Sequence, residues 1–456
     1  MTDFAAASVE EHVRALNDGE VSAVELVDGA IKRIDARDGA INAVIIRNFD
    51  EARAQAKAAD DARKAGARRP LLGVPVTVKE AYGTKGQPTT WGLEPLREVL
   101  ATEDAVAVQR LKNAGAIVLG KTNIPPGLGD WQSVNPIYGR TNNPHDLTRT
   151  PGGSSGGSAA SLAAGYVPLE IGSDIGGSIR VPSALCGTFG HKPSWELIPM
   201  RGHAPAGAPG AKVLLGVGGP MARAANDLDL ALSVLAGPDD DEAHGYKVAL
   251  APPRATRLKD FRVLVLDSHP VAPTDAEVAA AVNALAEDAA KAGAKVVRAS
   301  PALPDLRKAF DNYNTLLFTI ISRFTANPLA ISAHAWMNEL DAHEAFRKQW
   351  AAFFKDIDVV LSPTFGVPAF PHNDDPVWEK RIMRVGDRDT RYADQLGWPS
   401  IAAHAHLPST AFPIGRTKSG LPLGAQAMGG YLDDRTTIAF AAAVEEELGR
   451  KAMLAL

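Results

Sequence analysis

A chain of 456 residues, 45% hydrophobic and 22% charged, has the composition of a soluble globular protein, and its formal net charge of −5 gives no electrostatic case for binding nucleic acid or an anionic membrane. Its one cysteine, Cys186, excludes an intrachain disulfide and a cysteine-built metal cluster. The N-terminal stretch has no signal-peptide core and no apolar run reaches membrane-spanning length, so the expected location is the cytoplasm.

In chain order, residues 8–18, 22–37 and 49–66 carry apolar side chains at helical spacing, with INAVII (41–46) as a short strand between them. LLGVPVTVK (71–79) reads as a buried strand ending on a lysine, and AIVLGK (116–121) as a second, after a helix over 101–114. The alternation continues through 160–192. It resumes with FRVLVLD (261–267), a helix over 275–293 and AKVVRAS (294–300). Helices over 342–356 and 388–397 flank DVVLSP (358–363), and strands near 408–414 and 422–429 precede a closing helix over 433–448. Alternating strands and helices predict an α/β fold: a large mixed, mostly parallel twisted sheet covered by helices on both faces. The Gly- and Pro-rich segment 201–220 and the Pro-rich 364–378 read as long loops. With no composition shift along the chain, a single domain over 1–456 is expected.

The segment TPGGSSGGSAAS (150–161) invites three readings. A phosphate loop would need a lysine after its glycines, and none follows. GGSSG (152–156) matches the G-x-S-x-G nucleophile elbow, but turn formers rather than a strand precede it. That serine-esterase reading would need a later histidine such as His404 or His406. The third reading joins it to EIGSDIGGSIRVPSALCGTFGHKPS (170–194), where Ser178 follows Gly176 and Gly177. Paired glycines leave backbone N–H groups free to converge on a carbonyl oxygen, and the adjacent serine could attack it. A serine nucleophile needs a base. Lys79, ending its strand, would serve if burial lowered its pKa. A strand-ending lysine is also commonly a solvated tip or the ion-pair partner of a neighbour such as Glu80.

Taken together, these stretches resemble the amidase signature family. The resemblance rests on GRTNNPHDLTRTPGGSSGGSAASLAAG (139–165), PLEIGSDIGGSIRVPSALCGTFGHKPS (168–194) and VPVTVKE (74–80), with weaker similarity at 219–232, 358–372 and 420–445. It implies a signature core over about 70–195, a helical N-terminal segment 1–70 and substrate-pocket loops within 195–400. It also implies a Ser–cisSer–Lys triad: Ser178 as nucleophile, Ser154 (24 residues earlier, preceded by a cis peptide) as bridge, and Lys79 as base. The oxyanion hole would be the backbone N–H groups of Ile175, Gly176 and Gly177, with that of Ser178 as a further candidate. The implied activity is hydrolysis of a small-molecule carboxylic acid amide through an acyl-enzyme, with neither metal nor organic cofactor.

The family also includes the glutaminase subunit of a tRNA-dependent amidotransferase. Residues 300–430 show no convincing counterparts of its glutamine-binding segments, so a stand-alone enzyme is expected, with a homodimer left open. A serine esterase and a non-catalytic subunit of a complex stand as the alternatives. Ser155, Ser158 and Ser161 are expected to cap or pack the following helix, with contact to the triad as a second reading for Ser155, Ser173 to sit at a turn or touch the relay, and Arg180 to pair with Asp174. Cys186 is expected to be inert core. The loops 195–220, 303–345 and 364–400 are expected to wall the pocket; they carry Trp195, Phe310, Tyr313, Phe318, Trp336, Phe365, Trp378 and Trp398, each of which reads equally as pocket wall or core.

Overall fold

The hydrophobic runs of the sequence become the strands of one sheet. The structure, a computed structural model, describes residues 4–208, 212–323, 325 and 327–455. Eleven strands make the main sheet. In chain order they are β1 (Val44–Arg47), β2 (Pro75–Lys79), β3 (Ile117–Thr122), β4 (Leu169–Asp174), β5 (Phe189–Lys192), β6 (Val217–Ala222), β7 (Arg262–Val265), β8 (Lys295–Val297), β9 (Val359–Pro363), β10 (Ser409–Arg416) and β11 (Pro422–Met428). Their spatial order is β1-β3-β2-β4-β6-β5-β10-β11-β9-β7-β8. Twelve helices flank this sheet among the described residues: α1 (Val9–Asp18), α2 (Ala23–Ile41), α3 (Phe49–Lys64), α4 (Val106–Asn113), α5 (Gly156–Ala163), α6 (Arg180–Cys186), α7 (Ala225–Leu235), α8 (Ala276–Lys291), α9 (Leu306–Ser322), α10 (Ala333–Phe353), α11 (Gly397–His404) and α12 (Asp434–Leu448). None is long and apolar enough to cross a membrane.

The expected mixed sheet is present, but parallel pairing is confined to its flanks. β3, β2 and β4 run parallel on one side and β9, β7 and β8 on the other. Between them, β4, β6, β5, β10, β11 and β9 pair antiparallel in turn. Helix-then-strand alternation reports that crossovers exist, but not which strands they separate, so the antiparallel centre left no local mark.

Local sequence accounts for the element ends. Ser8 and Ser22 open α1 and α2 with capping boxes closed by Glu11 and Glu25. β2 and β3 are buried at every position, as expected of strands covered on both faces. α5 is built of small residues and lies close to the sheet. A Cβ on Gly157 would come within 2.3 Å of the Asn123 backbone nitrogen, so only glycine fits there.

Four sequence expectations are corrected. The helix expected over 388–397 is a hairpin, Ile382–Val385 against Arg388–Arg391, followed by a 3-10 turn over Tyr392–Leu396, with α11 beginning only at Gly397. Alternating burial along Ile382–Val385 has period two, and Gly386 takes a positive φ at the turn. The loop expected over 303–345 is mostly α9 and the start of α10. Ala309, Phe310, Tyr313, Leu316, Leu317 and Ile320 form one buried face of α9, and Asp305 caps it by accepting from the N–H groups of Arg307 and Lys308. The helix expected over 342–356 begins earlier, at Ala333, behind a Ser332 cap. The loop expected over 195–220 runs into β6 at its end, and its residues 209–211 lie outside the described residues, as do 324 and 326 of 303–345.

Candidate active site

Lys79 is the last residue of β2, between β3 and β4, and is fully buried. Its Nζ lies 2.7 Å from Ser154 Oγ, 2.9 Å from Ser155 Oγ and 3.0 Å from Ser173 Oγ, with the Ser173 carbonyl oxygen at 3.4 Å. Burial depresses its pKa from 10.5 to about 7, partly opposed by Asp174 and Glu170. Glu80 does not pair with it. That carboxylate accepts instead from the Thr90 N–H and hydroxyl and from the Trp91 N–H. Two buried acids on β4 act on Lys79: Asp174, and Glu170, which accepts from Thr122 Oγ1 at 2.8 Å and is pushed up to about 7 by burial.

Ser154 sits in the loop before α5, after a cis Gly153–Ser154 peptide bond. Ser155 is the N-cap residue of α5, but its side chain caps nothing. Its hydroxyl is turned to Lys79. Ser158 and Ser161 pack α5 on the sheet, bonding Thr122 Oγ1 at 2.9 Å and Thr77 Oγ1 at 3.3 Å. Ser178 lies in the turn between β4 and α6, and its Oγ carries no hydrogen bond among the described residues. The two serine loops are joined through backbone, the Ser155 N–H donating to the Ser178 carbonyl at 3.1 Å. The structure thus assembles Lys79 with Ser154, Ser155 and Ser173, and holds Ser178 beside them without closing a Ser154–Ser178 hydrogen bond.

The turn over 174–178 is held from outside. The Ile175 carbonyl accepts from Tyr313 Oη at 3.0 Å, the Gly176 carbonyl from Trp131 Nε1 at 3.0 Å, and the Gly177 carbonyl from the Val181 N–H at 2.7 Å. The Gly177 N–H donates to Asp174 Oδ1 at 2.9 Å. The N–H groups of Ile175, Gly176 and Ser178 carry no hydrogen bond among the described residues. Of the three donors expected to face an oxyanion, Gly177 is therefore already engaged, and Ser178 joins Ile175 and Gly176 as an open one. Gly177 has φ +96°, and a Cβ there would meet Val181 at 2.7 Å and Pro399 at 2.9 Å.

Asp174 and Arg180 form a bidentate pair, Nη2–Oδ1 2.9 Å and Nε–Oδ2 3.0 Å, both side chains fully buried. The carboxyl sits near pKa 2: burial alone would raise it, but Arg180, Lys192 and the Gly177 N–H outweigh that. Arg180 Nη1 reaches Gln426 Oε1 on β11 at 2.7 Å, tying the turn to the sheet centre. Cys186 is buried, and burial pushes its thiol pKa up.

The histidines of the esterase reading lie elsewhere. His404 Nε2 lies 2.6 Å from Asn312 Oδ1, and the His406 ring stacks on Trp195 with centroids 4.5 Å apart. No histidine hydrogen-bonds Ser154 or Ser178 among the described residues. Of the expected pocket aromatics, Phe310, Tyr313, Phe365 and Trp398 are core, while Trp195, Phe318, Trp336 and Trp378 are half-buried. Trp131, which the sequence did not single out, packs edge-on to Phe365 and directly against the Ser178 turn.

A family model described as Amidase matches residues 25–339 and 315–438. The chain is 33% identical to the putative amidase AmiB2 of Mycobacterium tuberculosis (strain ATCC 25618 / H37Rv), over 97% of this chain and 96% of the relative. It is 31% identical to a glutamyl-tRNA(Gln) amidotransferase subunit of Roseiflexus sp. (strain RS-1), over 93% of each. Among solved structures it is similar to a bacterial aryl acylamidase of the amidase signature family, with TM-score 0.81 and 25% identity over 97% of this chain and 96% of that one.

Proposed function

The chain belongs to the amidase family and hydrolyses carbon–nitrogen amide bonds; from that premise we propose that it acts as a stand-alone amidase through an acyl-enzyme on Ser178, with Ser154 and Lys79 as its proton relay. The observation that carries this reading is the buried Lys79 amine 2.7 Å from Ser154 Oγ, with a pKa held near 7. A neutral amine offers two N–H donors and one lone pair. Ser155 and Ser173 take the two donors, and the lone pair accepts the Ser154 hydroxyl proton. Ser154 in turn receives the proton of Ser178, whose Oγ has no hydrogen-bond partner among the described residues.

Ser178 Oγ attacks the amide carbon, and the carbonyl oxygen takes the negative charge against the open N–H groups of the 175–178 turn. The carbon–nitrogen bond breaks as the proton held by Lys79 returns through Ser154 to the leaving nitrogen, which departs as a neutral amine. Water then adds to the acyl carbon, giving its proton to the same relay, and the carboxylic acid leaves as Ser178 recovers its hydrogen. All three side chains come from the segment 79–178, but the eleven-stranded sheet behind them draws on residues 44–428. That continuity supports one domain rather than two.

Lys79 must be neutral to start the cycle. We therefore expect kcat/KM to rise about tenfold per pH unit below about 7 and to level off above it. A profile flat from pH 5 to 9 would remove Lys79 from the base role. The similarity to an amidotransferase component favours a second reading, a glutaminase subunit of a complex. A purified chain that hydrolyses aryl, aliphatic or peptide amides unaided supports the first reading. One inert alone but active on glutamine with a partner supports the second.

A further inference from the structure

A trans peptide unit is planar, so its N–H points opposite to its C=O. Holding the carbonyl of one residue therefore fixes the direction of the next residue's N–H. Three consecutive carbonyls of the Ser178 turn are held in this way, each by a different group. The Gly176 carbonyl, held by Trp131, sends the Gly177 N–H to Asp174. The Gly177 carbonyl, held by the first turn of α6, leaves the Ser178 N–H open. The Ile175 carbonyl, held by Tyr313, leaves the Gly176 N–H open on the side away from Tyr313.

We propose that Tyr313 is a positioning residue for amide hydrolysis: its hydroxyl, by holding the Ile175 carbonyl, aims the Gly176 N–H at the oxygen that becomes the oxyanion. This rests on the acyl-enzyme reading of Ser178. Tyr313 touches the turn from α9, an element separated from it by more than a hundred residues. Its side chain is fully buried in an aromatic and aliphatic cluster with Phe310, Leu316 and Leu396. Burial raises its pKa, so the hydroxyl stays protonated and can only hold the carbonyl as a donor. The fit is close on both sides of the hydrogen bond, since a Cβ on Gly176 would lie 3.2 Å from Tyr313 Oη and 3.1 Å from Leu396 Cδ2. The ring is held by packing and the peptide by the ring. Without the hydroxyl, the 175–176 plane loses the polar anchor it has among the described residues, and glycine at 176 lets it rotate.

The test is Tyr313→Phe, which keeps the ring and removes only the donor, measured beside wild type and Ser178→Ala on an amide the wild type hydrolyses. We expect kcat to fall about 10- to 100-fold, less than or comparable to deleting an oxyanion donor outright, with KM changed by no more than about threefold. Affinity for phenylboronic acid, which forms a tetrahedral adduct on a serine nucleophile, should fall by the same factor as kcat. The melting temperature should stay within about 2 °C of wild type. A packing role would instead move stability and KM together and leave the ratio of boronate to substrate affinity unchanged. That result, or kcat within about twofold of wild type, overturns the proposal. If Ser178→Ala is inert while Tyr313→Phe keeps full kcat and boronate affinity, this inference alone fails; if Ser178→Ala still hydrolyses the amide, the acyl-enzyme reading fails first.

Discussion

Ser178→Ala is expected to abolish amide hydrolysis, lowering kcat by about 10⁴-fold or more while leaving the protein folded. Ser178 Oγ makes no hydrogen bond among the described residues, so its removal strands no partner. Ser178 is 7% exposed, the cavity left by one oxygen is small, and the backbone of the turn is held by Tyr313, Trp131 and Asp174 rather than by the Ser178 side chain. The expected signature is loss of kcat with an unchanged melting temperature and with substrate still bound. Circular dichroism melts and a kinetic panel of amides check it together. Activity within tenfold of wild type would show that another group attacks the carbonyl.

Arg180→Met is expected to destabilise the fold by about 3–5 kcal/mol, measured as a lower urea midpoint at unchanged slope. The substitution leaves Asp174 fully buried and without its bidentate partner. The pH dependence follows from the sign of the shift. The Asp174 carboxyl sits near 2, below the ordinary 3.8, so its contribution to stability is complete above about 4 and is lost as pH falls toward 2. In Arg180→Met the largest offset to burial is lost, the carboxyl pKa rises, and that acid-dependent increment shrinks. Adding Asp174→Asn to Arg180→Met should recover part of the loss, because the buried carboxylate left without its guanidinium is removed. A loss under about 1 kcal/mol in the single variant would contradict this account of the pair. Since Asp174 also accepts the Gly177, Ile179 and Arg180 N–H groups, the variant should lose activity even where it remains folded.

What the sequence made legible divides along physical lines. β2 stands out as an uninterrupted apolar and β-branched run, and its closing lysine could be singled out because charge at the end of a buried strand is costly. Ser154 and Ser178 stand among glycines whose pattern belongs to close backbone approach. The partners of these residues are another matter. Ser173, beside the Ser178 turn in sequence, could be offered as a partner of the relay, but nothing in a buried apolar strand marks Glu170 as the acid near a lysine on the neighbouring strand. Trp131 and Tyr313 act on the Ser178 turn through single hydrogen bonds across 45 and 138 residues of sequence. Such contacts are set by how α9 and the 131 loop dock, which no local pattern encodes. The engagement of the Gly177 N–H by Asp174 is a three-residue side-chain turn, visible only once Arg180 fixes the carboxylate. The hairpin over 382–391 escaped because its charged residues suit an exposed helix as well as an exposed strand.

The most direct test of the central claim is the site of covalent labelling by a fluorophosphonate. Ser154 and Ser178 fall in one tryptic peptide, residues 150–180, so fragment-ion mass spectrometry must place the adduct within it. The account predicts a single adduct on Ser178, forming faster as pH rises through about 7 and absent from Ser178→Ala. An adduct on Ser154 or on any other serine, or undiminished labelling of Ser178→Ala, would contradict it.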